Sequence, residues 1–234
     1  MQFSLKIDQT IFNRFPGYAA LVLYVEGIQN GASDSFSTGL LREAEVRTRV
    51  AFGDLQVSDH PHIKAWRDAF TAFGAKAKRF PCGAEALLKR VVSGHSLPPI
   101  SQVVDFYNTI SLRHIIPVGG EDWSGLRSDL LLYPARGDEP FVFQSSGEQH
   151  VEYPHTGEII WADTAGVTVR RWNWRQCTRT QITTDTRDCY FVFDRLEPFP
   201  LEALDAAAED LIGVLRQVWP ECQVRRQLMM KEQS

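Results

Sequence analysis

Hydrophobic positions along the chain change period near residue 115. From residue 33 to that point they recur at helical spacing. Ala84, Leu87, Leu88, Val91 and Val92 fall at i, i+3, i+4, i+7 and i+8, and Gly94 closes the run. Glu85 and Lys89 add an i,i+4 pair in the favourable order. After Leu97-Pro98-Pro99, residues Ile100, Val103, Val104 and Tyr107 repeat the spacing. Residues 33–52 and 62–73 predict two further helices, the second entered through Pro61 and ended by Gly74. Phe3, Leu5 and Ile7 alternate as on a half-buried strand, and residues 19–26 read as a buried one.

Beyond residue 115 short apolar runs follow at 130–133, 140–143, 158–162, 167–172 and 189–193. Gly119-Gly120, Arg136-Gly137-Asp138, Ser146-Gly147 and Ala165-Gly166 punctuate them as turns. A last helix starts near Pro200, with Leu201, Leu204, Ala208, Leu211, Leu215 and Val218 on one stripe. That stripe is short for a coiled coil, so packing against a sheet is expected. Helices followed by strands predict an α+β fold in a single domain, 1–234.

Composition narrows this picture little. The 234 residues, 44% hydrophobic and 23% charged, suit a globular chain that buries its own core. No run approaches a membrane span, and Met1-Gln-Phe-Ser-Leu-Lys does not read as a signal peptide. Cys82, Cys177, Cys189 and Cys222 form no CxxC pair, so a reducing cytoplasm and no metal centre are expected. Charge changes the picture more. The net value is −4, yet Lys64 to Arg90 carries seven basic and two acidic residues. Arg170 to Arg187 carries five and one, and His95 to Asp163 reverses to three and ten. Two basic segments on an acidic body leave room for a local nucleic-acid site.

Common catalytic signatures are missing: no GxGxxG, Walker lysine loop, HExxH or GxSxG occurs. His60-Pro61-His62 reads as a pair of surface histidines at a helix start. Cys82 precedes a helix, where a thiol is either activated or simply buried. Three features remain. Asn108 follows Val104 by four residues and so lies on an apolar stripe, where its amide either bonds a neighbouring loop or lines a pocket. In Arg170-Arg171-Trp172-Asn173-Trp174-Arg175, a strand would put Arg171, Asn173 and Arg175 on one face and the two indoles on the other. That reads either as a basic sheet face or as a cleft for an anionic, planar ligand. Glu158 opens a strand-like run, where a carboxylate is either exposed or able to accept a substrate proton or hydroxyl.

The stretch from about Lys64 to Asp194 resembles the editing domain of the bacterial phenylalanyl-tRNA synthetase beta subunit, built from its third and fourth modules. Val104-Asp105-Phe106-Tyr107-Asn108 is similar to that family's Val-Asp-x-x-Asn helix, and Pro117-Val118-Gly119-Gly120-Glu121-Asp122 to its Pro-x-His-x-x-Asp turn. Tyr133-Pro134-Ala135-Arg136-Gly137-Asp138-Glu139 is similar to its Arg-x-Ala-x-x-Gly-Glu segment. Residues 158–163 and 183–193 resemble its later strands. Freestanding members match more closely, through Trp66 and Phe70, Pro81, Glu85-Ala86-Leu87-Leu88-Lys89-Arg90, the Pro117 turn and the Arg171–Arg175 run.

The resemblance implies an α+β domain with an N-terminal helical half around a mixed β-sandwich. It also implies trans-editing: hydrolysis of the ester joining a wrong amino acid to tRNA, with no cofactor. The synthetase's ligase activity is not implied. Asn108 and Glu158 match the family. The family's threonine is replaced by Tyr107 and its histidine by Gly119, so the resemblance does not by itself imply tyrosine specificity. On this reading Glu158, Asn108, Gly119 and Gly120 are catalytic. Tyr107, Arg171, Asn173 and Arg175 bind substrate, and Lys76, Lys78, Arg79 and Arg179 bind the tRNA acceptor end. The alternatives are a non-catalytic tRNA- or amino-acid-binding module and a small-molecule enzyme that reuses the pocket. The sequence leaves the oligomeric state open.

Overall fold

A computed structural model describes residues 3–231. In chain order the elements are β1 (Leu5–Ile7), α1 (Gln9–Arg14), β2 (Ala19–Glu26), α2 (Ser35–Phe52), α3 (Pro61–Ala72), α4 (Gly83–Val92) and α5 (Gln102–His114). Then come β3 (Val118–Asp122), β4 (Leu130–Pro134), β5 (Phe141–Ser145), β6 (Glu148–Glu152), β7 (Ile159–Asp163) and β8 (Gly166–Arg170). The last are β9 (Arg175–Gln176), β10 (Cys189–Arg195), α6 (Leu201–Val218) and β11 (Gln223–Met230). The fold is α+β. No helix among the described residues is long and apolar enough to cross a membrane.

The strands form a five-stranded sheet ordered β1-β4-β7-β8-β9, a four-stranded sheet ordered β11-β2-β10-β3, and the hairpin β5-β6. Among the described residues only the β1–β4 pairing is parallel. The second sheet takes strands from both halves of the chain, so helices and strands interleave more than the sequence pattern implies. β2 explains its own unbroken apolar run. Leu21, Leu23 and Val25 pack on one face with Leu204, Leu211 and Leu215 of α6. Ala20, Val22 and Tyr24 pack on the other with Trp66 of α3 and Trp161 of β7. A strand buried on both faces has no polar alternation to show. The α6 stripe lies on this sheet, as its length predicts.

Helix ends are set locally. Asp34 and Ser37 form a reciprocal capping box at α2. Ser101 caps α5 by accepting from the Val104 N–H. Gly74, at φ 88°, ends α3 in a Schellman arrangement. Its N–H donates to Thr71 O and that of Ala75 to Phe70 O. This stop turns residues 75–80 back along the helix side, which brings Lys76, Arg79 and Phe80 to one cleft.

Two expectations need correction. The strand expected over 167–172 ends at Arg170, and residues 171–174 form a turn before β9. Arg171 (φ 47°) and Trp172 (φ 66°) are both left-handed, so the shared-face alternation of Arg171, Asn173 and Arg175 does not exist. His62 is no surface histidine: it is 1% exposed. Its Nδ1 donates to Ile115 O at 2.9 Å. Its Nε2 accepts from the Trp66 indole at 3.0 Å and from Leu196 N at 3.3 Å. That pattern fixes the neutral tautomer, and burial holds its pKa down to about 4.

Candidate functional site

The turn at 171–174 organises two adjoining cavities. Trp172 anchors it. Its indole is fully buried and meets Tyr18, Phe15 and Trp66 edge-on at 4.8, 4.9 and 5.2 Å. The backbone N–H of Trp172 donates to Ile159 O at 2.7 Å, while Trp174 N bonds Arg170 O and Gly83 N bonds Asn173 O. Two consecutive left-handed residues other than glycine cost on the order of 1–3 kcal/mol each, which the buried indole offsets.

On one side of the turn lies an open cleft of about 970 Å³. Lys76, Arg79, Arg171 and Arg175 supply positive charge there, and Phe80 and Trp174 supply ring faces. The Arg171 guanidinium packs on both rings, 3.8 Å from the Phe80 centroid and 4.4 Å from that of Trp174, while the rings themselves meet edge-on with centroids 4.9 Å apart. Burial lowers its pKa to about 10. Its buried Nη1 has no hydrogen-bond partner among the described residues.

Glu158 forms the floor of this cleft. Gly157, at φ 83°, turns the chain into β7, and the Glu158 side chain ends 4% exposed. Arg170 from β8 holds it bidentately, with Nε and Nη2 each 2.8 Å from a different carboxylate oxygen. Arg170 also reaches Glu152 at 2.6 Å, and Arg171 stands 3.6 Å from Glu158. Both Glu158 oxygens are therefore engaged.

On the other side of the turn is a smaller chamber of about 130 Å³. Tyr107, Gly119, Gly120, Glu121, Asn173 and Asp194 are among its walls. Trp174 and Arg175 line both cavities and form the partition. Asp194 accepts from the Tyr18 hydroxyl at 2.6 Å and from Asn173 Nδ2 at 3.0 Å. Burial raises its pKa to about 7. Glu121, also buried, accepts from the Thr168 and Thr180 hydroxyls, and burial raises its pKa too. Gly120 lies against Ile182 and Phe191, where a Cβ would sit 3.0 Å from both.

The sequence-derived residues thus divide. Lys76, Arg79, Glu158 and Arg171 meet in the cleft; Tyr107, Gly119, Gly120 and Asn173 meet in the chamber; Arg175 belongs to both. Asn108 is half-buried on α5 and lines neither cavity, and Lys78 is exposed outside the cleft. Arg179 is committed elsewhere, bidentate to Asp163 at 2.8 Å and bonded to Gly125 O. Two quoted motifs have structural explanations. Glu139 closes its own turn by accepting from Arg136 N, Gly137 N and the Tyr133 hydroxyl. Asp105 ties α5 down through Ser37 and Ile100 N. Cys82 is buried, and its thiol is pushed up to about 12.

Glu121, Asp194 and Arg170 are the members that sequence reasoning missed. Asp194 carried a signal, as a lone acid ending the apolar run 189–193.

Comparison with known proteins adds a relationship. Residues 65–202 match the family described as the B3/4 domain. Among solved structures, the chain is similar to an N-terminal fragment of the phenylalanyl-tRNA synthetase beta subunit from Pyrococcus horikoshii, at 12% identity and a TM-score of 0.48. That match covers 96% of this chain and 51% of the fragment, so the chain spans about half of that fragment's length. No curated protein matches the chain.

Proposed function

Because the chain belongs to the B3/4 domain family, a module of the phenylalanyl-tRNA synthetase beta subunit, we propose that it is a deacylase acting in trans on mischarged tRNA. The observation that carries this reading is the shared partition. A cationic, aromatic cleft meets a small acid-walled chamber at Trp174 and Arg175. A tRNA 3′ end presents the matching sequence of groups: phosphates and bases, then a ribose ester, then an ammonium.

In this arrangement Lys76, Arg79, Arg171 and Arg175 neutralise phosphates, and Phe80 and Trp174 stack a terminal base. The ester lies at the partition. Water adds its oxygen to the carbonyl carbon, and the bond to the ribose oxygen breaks. One proton passes to that ribose oxygen, and the new acid releases another to solvent. The oxyanion needs a backbone donor. On an edge strand only alternate residues turn their polar groups off the sheet. Gln176 bonds the Gly120 carbonyl, which marks Gly120 rather than Gly119 as the one facing outward. Glu158, with both oxygens on Arg170, is a positioning residue for Arg170 and Arg171. The vicinal ribose hydroxyl relays the proton.

A panel of mischarged tRNAs tests the reading. Ester loss faster than in buffer for at least one is the expected result, and no acceleration for any ends it. The occupied Glu158 oxygens favour a second reading, tRNA or amino-acid binding without hydrolysis. In that case Glu158→Ala changes tRNA or amino-acid affinity and no mischarged tRNA is hydrolysed.

A further inference from the structure

The chamber carries information about which acyl group it accepts. Its volume is about 130 Å³. A cavity of about 150 Å³ takes one benzene ring and little more. An aminoacyl group must place its nitrogen, α-carbon and carbonyl there before any side chain is counted. Tyr107 lines the chamber on the α5 side, with its ring centroid 6.0 Å from that of Phe191. Trp161, Trp172 and Trp174 line it elsewhere, and Arg175 and Gln176 border it. None of the aromatic walls is a flexible chain that folds away.

The polar part of the wall is rich in acceptors. Asp194 and Glu121 contribute carboxylates from neighbouring strands. Asn173 is oriented by the bond from its Nδ2 to Asp194, and its buried Oδ1 is left without a donor among the described residues. A buried acceptor without a partner costs on the order of 1–3 kcal/mol, which a bound donor recovers. A primary ammonium supplies three donors and a charge that offsets the carboxylates.

We infer that the chamber selects aminoacyl groups with small side chains, of alanyl or seryl size, holding the α-ammonium at Asn173 Oδ1 and Asp194, and that Tyr107 sets the size limit. This rests on the deacylase reading for the ester but not for binding, so the two are tested separately. Non-hydrolysable 3′-aminoacylamido-adenosines carrying alanine, serine, phenylalanine or tyrosine are titrated against the protein. In parallel, the matching aminoacyl-tRNAs are assayed for hydrolysis.

The expected result is binding of the alanyl and seryl compounds at least about tenfold tighter than the tyrosyl one, the scale on which apolar pockets discriminate by size. Tyr107→Ala should remove that preference, whereas Tyr107→Phe, which keeps the ring, should retain it. Asn173→Gln is the second probe: it keeps an amide donor and acceptor and should still bind, whereas Asn173→Leu should not. Tyrosyl binding as tight as alanyl overturns the inference even if every ester is hydrolysed. Alanyl binding without any hydrolysis sinks the deacylase reading and leaves the chamber assignment standing. Binding of no compound ends the inference directly.

Discussion

At the scale of single residues, four buried ionisable groups make the sharpest statements. Glu158 and Arg170 satisfy each other in a nearly dry place. Removing one partner strands the other, which costs roughly 3–5 kcal/mol. Glu158→Ala should therefore lower the denaturation midpoint substantially. Lost activity in that variant is informative only where calorimetry shows the protein still folded. His62 and Asp194 act oppositely with pH. An unfolded histidine takes a proton near 6.5, while folded His62 resists to about 4. In that window the unfolded state binds more protons, so stability falls as pH drops, by about 3 kcal/mol in all. Asp194 is raised from 3.8 to about 7, so the folded state binds the extra proton and gains stability as pH falls through the same range. Asp194→Asn removes only the second effect. Its stability should decline more steeply from pH 7 to pH 4 than that of the parent, measured by urea titration. Parallel profiles would show that Asp194 is not held protonated.

Among the elements, the 171–174 turn governs the site and was the least legible part of the chain. Arg171-Trp172-Asn173-Trp174 has no glycine or proline, and its alternation imitates a strand. The left-handed residues are imposed by tertiary packing, because the core around Tyr18 and Trp66 takes Trp172 only if the chain reverses there. Trp172→Ala should cost about 3–5 kcal/mol and also release the turn. Fluorescence-monitored unfolding of Trp172→Phe, which keeps much of the packing, should show a smaller loss. Elements with strong local signals were legible. The Leu87-Leu88-Val91 stripe of α4 gives that helix, the α6 stripe gives its packing on a sheet, and Gly74 gives the end of α3. β11 was illegible because its register leaves most side chains exposed, and α1 because six residues hold too little periodicity. The cleft residues Glu158, Arg171 and Arg175 were visible as residue types at unusual places. Glu121 was not, since its role depends on Thr168 and Thr180 arriving from elsewhere.

For the whole molecule, net charge is a poor guide and its distribution a good one. Arg179 and Arg170 are consumed by Asp163 and Glu158. The basic segments thus provide fewer ligand contacts than their composition implies, chiefly Lys76, Arg79, Arg171 and Arg175. Four phosphate contacts to a single strand predict a slope of roughly −3 in log affinity against log salt. Lys76→Glu with Arg79→Glu should flatten that slope by roughly half in a filter-binding or anisotropy titration. An unchanged slope would place the tRNA elsewhere.

The anchoring of Trp172 has a further consequence for exchange and recognition. Its amide donates to Ile159 O beneath a closed aromatic cluster. Breaking that bond requires disassembling the core, so its hydrogen should exchange with deuterium only at the rate set by global unfolding. The turn amides of Ser146 and Gly147, between β5 and β6, should exchange orders of magnitude sooner. The partition between the two cavities therefore exists before any ligand arrives. Association then requires little ordering of the protein, and its heat-capacity change should report only the surface that ligand and cavity walls bury against each other.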